Sequence, residues 1–169
     1  WNISVEILEE KLKTARKRKK IPKILVLVHL AGNPCDLRKV FDLSKEYGFS
    51  IIEDASHALG SKYSKEQIGS SAYSDISVFS FHPVKNITTG EGGMILTNNK
   101  EIAEKVNLYR SHGVTRDANK LFNKNEGPWY YEQLLLGFNF RMNDIQASLG
   151  ISQMDSLDKF ISKRNDISQ

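Results

Sequence analysis

The longest uninterrupted apolar run in this chain is the pentapeptide Ile24–Val28. A run of this length and composition is typical of a strand that is covered on both faces, as in a parallel sheet. A loop with Gly32 and Pro34 follows the run. A helical pattern then begins after Asp36 and ends near Gly48, because these residue types cap the two ends of a helix.

A second short apolar segment, residues 49–52, closes on Glu53 and Asp54 and completes a strand–loop–helix–strand unit. Such a unit spans about 30 residues and predicts a parallel sheet with helices on its faces. The remaining predicted elements are helices at 5–15 (capped by Asn2 or Ser4), 100–110, 144–157 and from 158 onwards, strands at 76–81 and 93–97, and a long functional loop at 111–131. The strand at 93–97 is expected to run antiparallel to its neighbour because the turn before it is short. The expected fold is α/β with three layers, a mostly parallel sheet flanked by helices.

The net charge of +4 is concentrated in residues 11–20, which hold seven of the 24 basic residues and no acidic one. We interpret this segment as the solvated end of a helix, where basic side chains complement the negative pole of the dipole. Binding to nucleic acid or to a membrane surface is the alternative, but no aromatic residue is interleaved for stacking on bases. No apolar run approaches the roughly 20 residues that cross a bilayer. Neither nucleic acid nor a membrane is therefore an expected partner.

The single cysteine, Cys35, excludes an internal disulfide framework and predicts a reducing, cytoplasmic location. The four histidines and Cys35 show no Cys-x-x-Cys or His-x-x-x-His spacing, so no metal site is predicted. Ser56 and His57 follow Asp54 closely, which suggests a hydrolase. Residues so close along a chain do not easily form a nucleophile–base–orienter geometry, and no Gly-x-Ser-x-Gly segment is present.

Two chemically capable side chains are expected at the same edge of the sheet. Asp54 ends the second predicted strand and Lys85 lies just past the third. Ligands of parallel α/β sheets bind beyond the carboxyl ends of the strands. A carboxylate and an amine facing one crevice suit pyridoxal 5′-phosphate (PLP), since the amine reacts with the aldehyde and the carboxylate pairs with the pyridine nitrogen. From spacing alone, a helix-capping or surface Asp54 and a solvated Lys85 remain alternatives.

The sequence around both residues resembles that of a known family. Segments 53–60 (EDASHALG) and 80–93 (SFHPVKNITTGEGG) are similar to two signature segments of the DegT/DnrJ/EryC1/StrS sugar aminotransferases. Segments 29–36 (HLAGNPCD), 111–113 (SHG) and 136–147 (LGFNFRMNDIQA) resemble three more. The resemblance runs over essentially the whole chain and is closest to the PseC-type branch, which aminates a UDP-4-keto-6-deoxy-N-acetylhexosamine on the route to pseudaminic acid.

The resemblance implies a role for each of five residues. Lys85 would form the Schiff base with PLP and move the proton between substrate and cofactor, and Asp54 would pair with the pyridine nitrogen. His57 would lie near the ring hydroxyl, where many relatives have glutamine, and Ser80 would bind the phosphate. Asn139 would reach the phosphate of the neighbouring subunit, which implies a homodimer. The residues themselves leave an alternative to three of these roles. In these alternatives His57 is a structural residue bonded to backbone, Ser80 bonds to a loop amide, and Asn139 caps a helix.

The implied activity is transfer of an amino group from an amino acid, in the family glutamate, to a nucleotide-linked 4-keto-6-deoxy sugar. Relatives that dehydrate sugars carry histidine at the position of Lys85, so lysine favours transamination over sugar dehydration. A non-catalytic PLP-fold module is a further alternative. The chain is expected to be a fragment, because relatives are longer. Residues 1–155 are expected to be the central part of the PLP-binding large domain of a fold-type I enzyme, truncated on its N-terminal side. Residues 156–169 are expected to start the connection to a small C-terminal domain.

Overall fold

The computed structural model describes residues 1–124 and 126–168. Asn125, within the predicted loop, and Gln169, at the end of the predicted connection, therefore lie outside the described residues. The chain divides into two compact units, one of residues 1–98 and 144–169 and the other of residues 99–143. Among the helices of the described residues, none is long and apolar enough to cross a membrane.

The helices of the described residues are α1 (Val5–Lys17), α2 (Leu37–Tyr47), α3 (Lys100–Arg110), α4 (Asp144–Met154) and α5 (Leu157–Ser168). The strands are β1 (Ile24–Val28), β2 (Ser50–Asp54), β3 (Lys62–Tyr63), β4 (Glu66–Gln67), β5 (Ile76–Ser80), β6 (Gly93–Leu96), β7 (Val114–Thr115) and β8 (Glu132–Gln133). A short 3-10 turn, Leu30–Gly32, follows β1.

The first unit is built on a four-stranded sheet of order β1–β2–β5–β6. β1, β2 and β5 are parallel, and β6 runs antiparallel to β5. The register places Val28 beside Asp54 and Asp54 beside Val78, so the carboxyl ends of the three parallel strands lie at one edge. The predicted α/β fold with a mostly parallel sheet flanked by helices is confirmed.

Local residue chemistry explains where the helices begin and end. The Ser4 hydroxyl accepts the Ile7 amide at 3.2 Å and caps α1, and the Asn99 side chain accepts two amides of the first turn of α3. Asp36 caps α2 and also accepts a 2.6 Å hydrogen bond from the Tyr63 hydroxyl. Gly48 ends α2 at φ +76°, a left-handed conformation that glycine adopts without strain.

The core of the first unit lies between the sheet and the pair α1 and α2. Its largest fully buried apolar side chains are Leu27 on β1, Ile51 on β2 and Val40 on α2, and Leu8 and Leu12 of α1 pack on the same cluster. Alternate residues of a strand point to opposite faces, so each strand contributes every second side chain to this core.

Two expectations about individual elements are wrong in detail. Ile24, Val26 and Val28 on the outer face of β1 are 54, 54 and 44% exposed, because within the described residues only the Leu27 face packs on the core. The predicted helix 144–157 ends at Met154, since residues 155–156 form a turn in which the Ser156 amide bonds to the Gln153 carbonyl.

The second unit, residues 99–143, contains α3 and the antiparallel pair β7–β8. A Cβ at Gly137 would lie 2.3 Å from the Gly113 nitrogen, so this close backbone contact requires glycine. The Glu132 carboxylate accepts the amides of Phe122 and Asn123 at 2.7 and 2.9 Å. The predicted long loop is thus partly tied to β8.

We predict that Leu12→Ala lowers the free energy of unfolding by about 2–5 kcal/mol, because Leu12 is 2% exposed and its removal leaves a cavity. The neighbouring Lys11→Ala, on the exposed side of the same helix, is the control and is expected to change this free energy by less than about 0.5 kcal/mol. Chemical denaturation of both variants gives the comparison. Equal effects would show that α1 does not contribute to the core.

Candidate active site

The predicted site residues of the first unit lie at the carboxyl edge of the parallel strands. Asp54 is the last residue of β2, Ser80 is the last residue of β5, and Lys85 follows in the connection to β6. The Lys85 amide donates to the His82 carbonyl at 3.0 Å, so the lysine lies in a tight turn. Because β2 and β5 are neighbours in the sheet, the two strand ends bring these residues to one region.

Asp54 is a half-buried carboxylate with a defined hydrogen-bond environment. One oxygen, Oδ1, accepts the Ser56 hydroxyl at 2.6 Å and the Ser56 amide at 3.1 Å. The hydroxyl bond is the largest cause that lowers the pKa of Asp54 below its ordinary value, and burial opposes it. The second oxygen, Oδ2, accepts no hydrogen bond from the described residues. Asp54 is therefore ionised at neutral pH with one oxygen available to a ligand.

Lys85 is close enough to Asp54 for their charges to interact. After the bonds from Ser56, the Lys85 ammonium is among the groups that lower the pKa of the Asp54 carboxyl. The Lys85 side chain is half-buried. The amine and the carboxylate, which the sequence placed at neighbouring strand ends, are thus within electrostatic range of each other.

His57 and Ser80 both bond to nearby backbone. His57 Nδ1 accepts the Ala31 amide at 3.2 Å, so this ring supports the loop after β1 and also lies near Asp54. Ala31 has φ +53°, and a non-glycine residue in this conformation needs such support. Ser80 Oγ accepts the His82 amide at 3.4 Å, which is a long bond.

Asn139 lies in the second unit and is exposed. It forms an isolated antiparallel bridge with Ser111. The next helix, α4, begins only at Asp144, so the alternative of Asn139 as a helix cap is wrong. Its predicted contact with a phosphate in a neighbouring subunit stays a prediction.

The second unit also contains a concave surface that was not predicted, formed by residues of the predicted loop and of the later segment 136–147. The pocket has a volume of about 750 Å³, and its lining includes Ser111, His112, Arg116, Tyr131 and Arg141. The Arg116 guanidinium lies 5.8 Å from the centroid of the Tyr131 ring. Two arginine residues in the lining of one pocket favour an anionic ligand.

A buried polar network beneath Asp54 was not predicted. His29, which directly follows β1, and Glu53 of β2 are 0 and 2% exposed, and His29 Nε2 lies 2.8 Å from Glu53 Oε2. The other oxygen, Oε1, accepts the hydroxyls of Ser77 on β5, at 3.0 Å, and of Ser74. The sequence contained one signal for this network. Residues 51 and 53 of a strand point to the same face, so the apolar Ile51 places the Glu53 carboxylate on the core face.

Hydrogen-bond directions define the charge state of this pair. His29 Nδ1 accepts the Cys35 amide at 3.1 Å, so the ring is neutral and donates its Nε2 hydrogen to Glu53. Burial acts to raise the pKa of Glu53, but the bonds from His29 and the two serines bring it below its ordinary value. An ionised Glu53 therefore accepts from a neutral His29, and the pair joins β1 to β2 and β5.

We predict that the pair makes stability depend on acidic pH. Because the folded-state pKa of Glu53 is lowered, its contribution is fully present above about pH 4.5 and is lost as pH falls through the lowered pKa. In Glu53→Gln the titrating carboxyl is absent, so this part of the decline in the free energy of unfolding should disappear. Urea unfolding of both proteins between about pH 3 and 7 measures it. Parallel declines in the two proteins would contradict an ionised Glu53 in the folded state.

Comparison with known proteins finds a matching family and related aminotransferases. The family model of the DegT/DnrJ/EryC1/StrS aminotransferase family matches residues 1–169. A UDP-4-amino-4,6-dideoxy-N-acetyl-β-L-altrosamine transaminase of Campylobacter jejuni is 42% identical over 83% of this chain and 35% of its own length. The chain spans about two fifths of the length of the curated relatives it matches.

Solved structures show the same fold. Helicobacter pylori PseC, an aminotransferase of pseudaminic acid biosynthesis, superimposes with a TM-score of 0.79 and 38% identity over 93% of this chain and 38% of that chain. The PMP-form of Spr1654 from Streptococcus pneumoniae, whose name proposes a sugar aminotransferase, gives a TM-score of 0.76 and 28% identity over 99% of this chain and 45% of that chain. Spr1654 also has a PLP-form structure.

Proposed function

This chain belongs to the DegT/DnrJ/EryC1/StrS aminotransferase family, and on that premise we propose that the protein is a PLP-dependent aminotransferase of a nucleotide-linked 4-keto-6-deoxy sugar. Membership confirms the resemblance of the sequence motifs, including the likeness to the PseC-type branch. PLP is the cofactor of this family, as the predicted site implied.

The observation that carries the proposal is the position of Asp54 and Lys85 at adjacent strand ends, within electrostatic range of each other. A half-buried carboxylate with a lowered pKa lies within electrostatic reach of a half-buried lysine, at the ends of adjacent parallel strands. An amine for the aldehyde and a carboxylate for the ring nitrogen are the two groups that a PLP site requires.

The hydrogen-bonding and reactive groups at this edge of the sheet fit those that PLP requires. Asp54 Oδ2, without a hydrogen-bond partner among the described residues, is the acceptor for the pyridine N–H. Lys85 supplies the amine, and the Ser80 hydroxyl at the end of β5 is a donor for the phosphate. When bound, PLP supplies an aldehyde that takes up an amino group and a protonated ring that withdraws electrons from the substrate carbon.

Three residues of this chain would have separate roles in the reaction. The ionised Asp54 keeps a proton on the ring nitrogen, and its bonds from Ser56 fix the carboxylate plane. Lys85, once its amine is free, would take the proton from the carbon of the amino donor and pass it to the cofactor in the first half of the transfer. In the second half it would move a proton in reverse, from the cofactor to the sugar carbon. The Ala31 amide donates to His57 Nδ1 and so fixes the imidazole, which would limit the position of a ligand beside Asp54.

Similarity to named relatives supports the choice of substrates. The C. jejuni protein is named for transamination of a UDP-linked amino-dideoxy-N-acetyl sugar, and H. pylori PseC for pseudaminic acid biosynthesis. We therefore propose a UDP-linked 4-keto-6-deoxy-N-acetylhexosamine as acceptor and glutamate as amino donor. We also propose a homodimer in which Asn139 of one subunit contacts the phosphate bound in the other.

We predict that Lys85→Ala lowers transfer of labelled nitrogen from glutamate to the sugar by about 10³-fold or more, because the residue that moves the proton is lost. Lys65→Ala, an exposed lysine of the same unit, is the control and should retain turnover. Borohydride reduction of the PLP-bound wild-type protein followed by peptide mapping should label Lys85. Wild-type turnover in Lys85→Ala, or a label on another lysine, rules out the assignment.

We predict that Asp54→Asn lowers turnover by about 10²-fold, because the amide keeps the shape but not the charge that holds the ring proton. Retention of PLP on dialysis should also fall. Asp42→Asn, on the exposed face of α2, is the matched control and should leave both quantities unchanged. Equal PLP retention and turnover in the two variants would contradict the role of Asp54.

A further inference from the structure

One face of α4 contacts the segment that follows Lys85. Gln146, Gly150 and Gln153 are four and three residues apart, so they share a face of the helix. Gln153 Oε1 accepts the Thr88 amide at 2.8 Å, and Gln146 Nε2 donates to the Glu91 carbonyl at 3.1 Å.

Gly150 allows the helix to approach this segment closely. A Cβ at Gly150 would lie 2.8 Å from the methyl carbon of Thr89, and both residues are buried. A methyl group at position 150 would therefore push the helix and the segment apart. Glycine is needed at position 150 because the contact with Thr89 is short, and not because of its backbone conformation.

Thr88 is the residue through which the helix and the strand are joined. Its hydroxyl donates to the Phe81 carbonyl, just past the end of β5, at 2.8 Å, and accepts the Gly90 amide at 2.9 Å. The Thr89 amide donates to the same Phe81 carbonyl at 3.0 Å. With its amide bound to Gln153, Thr88 connects α4 to the sheet three residues after Lys85.

α5 adds contacts on the other side of the lysine. The Arg164 guanidinium lies 3.5 Å from the Lys85 carbonyl oxygen. Ile161 packs against Gly60, where a Cβ would lie 2.1 Å from its Cδ1. The Leu59 carbonyl next to Gly60 accepts the Asn86 side chain at 2.9 Å, which ties the residue after Lys85 to the segment after Asp54.

We propose that Gln153 is a positioning residue for Lys85: its bond to the Thr88 amide fixes the lysine segment against α4 and so sets where the reactive amine lies relative to Asp54. The inference rests on the proposed function in one respect, namely that Lys85 is the reacting lysine. Misplacement of a catalytic group by about 1 Å lowers rates by about 10²-fold, so a bond of this kind has a measurable effect on the chemical step.

The experiment compares three variants of the holoenzyme and of its cofactor-free form. Gln153→Leu removes the acceptor at similar volume, and Gln153→Glu keeps an oxygen acceptor for the Thr88 amide. Ser152→Ala, on the exposed side of the same helix, is the control. The readouts are hydrogen exchange of the Thr88 amide without cofactor, kcat and KM, and the pH midpoint of the visible absorbance of the bound cofactor.

The expected result is specific to positioning. Gln153→Leu should exchange the Thr88 amide at least about tenfold faster, because an orphaned amide is exposed to solvent more often. It should lower kcat by about 10- to 100-fold with KM changed by less than about twofold, and shift the pH midpoint. Gln153→Glu should restore slow exchange and most of kcat, and Ser152→Ala should behave as wild type.

The outcomes separate this inference from the proposed function. If borohydride labels Lys85 while Gln153→Leu keeps wild-type exchange and kcat, the positioning role is overturned and the proposed function stands. If borohydride labels another lysine, both fall. If Gln153→Leu does not fold, Gly150→Ala replaces it; the added methyl should produce smaller changes of the same sign in exchange and kcat, and wild-type values there overturn the inference.

Discussion

The buried carboxylate of Glu53 is the interaction on which the site edge depends. It bonds to His29 after β1 and to Ser77 on β5, so one side chain joins all three parallel strands of the sheet. A charge buried to this extent is tolerated only with a complete set of partners. Because strand residues alternate between faces, Asp54, which comes next, is directed to the opposite side. The network thus fixes the strand end that presents the candidate catalytic carboxylate.

Helix packing completes the site from the other side of the lysine. The sheet determines where β5 ends, but the segment after it makes its bonds to α4 and α5. Asp54 is therefore placed by strand register and Lys85 by strand register together with helix contacts. The two groups therefore reach one region of the sheet edge by different means.

The sequence alone was sufficient to predict features that depend on residues close together along the chain. The caps Ser4 and Asp36, the end of α2 at Gly48 and the bounds of α3 follow from local residue chemistry, and the predictions for them are confirmed. The bond between His29 and Glu53 spans 24 residues and that between Thr88 and Gln153 spans 65, so both depend on the assembled fold. The apolar residues of β1 predicted burial on both faces, but composition alone does not show which elements are present to cover them.

The bond between the Ala31 amide and His57 Nδ1 determines the tautomer of that histidine. With Nδ1 used as an acceptor, the neutral ring carries its hydrogen on Nε2. The ring then offers its surroundings an N–H donor, and an electron-rich oxygen is the complementary group. A glutamine side chain has one oxygen and one N–H₂ group, and it can accept the loop amide and offer a donor in the same way. Interchange of these two residue types at position 57 would therefore preserve both functions of the side chain.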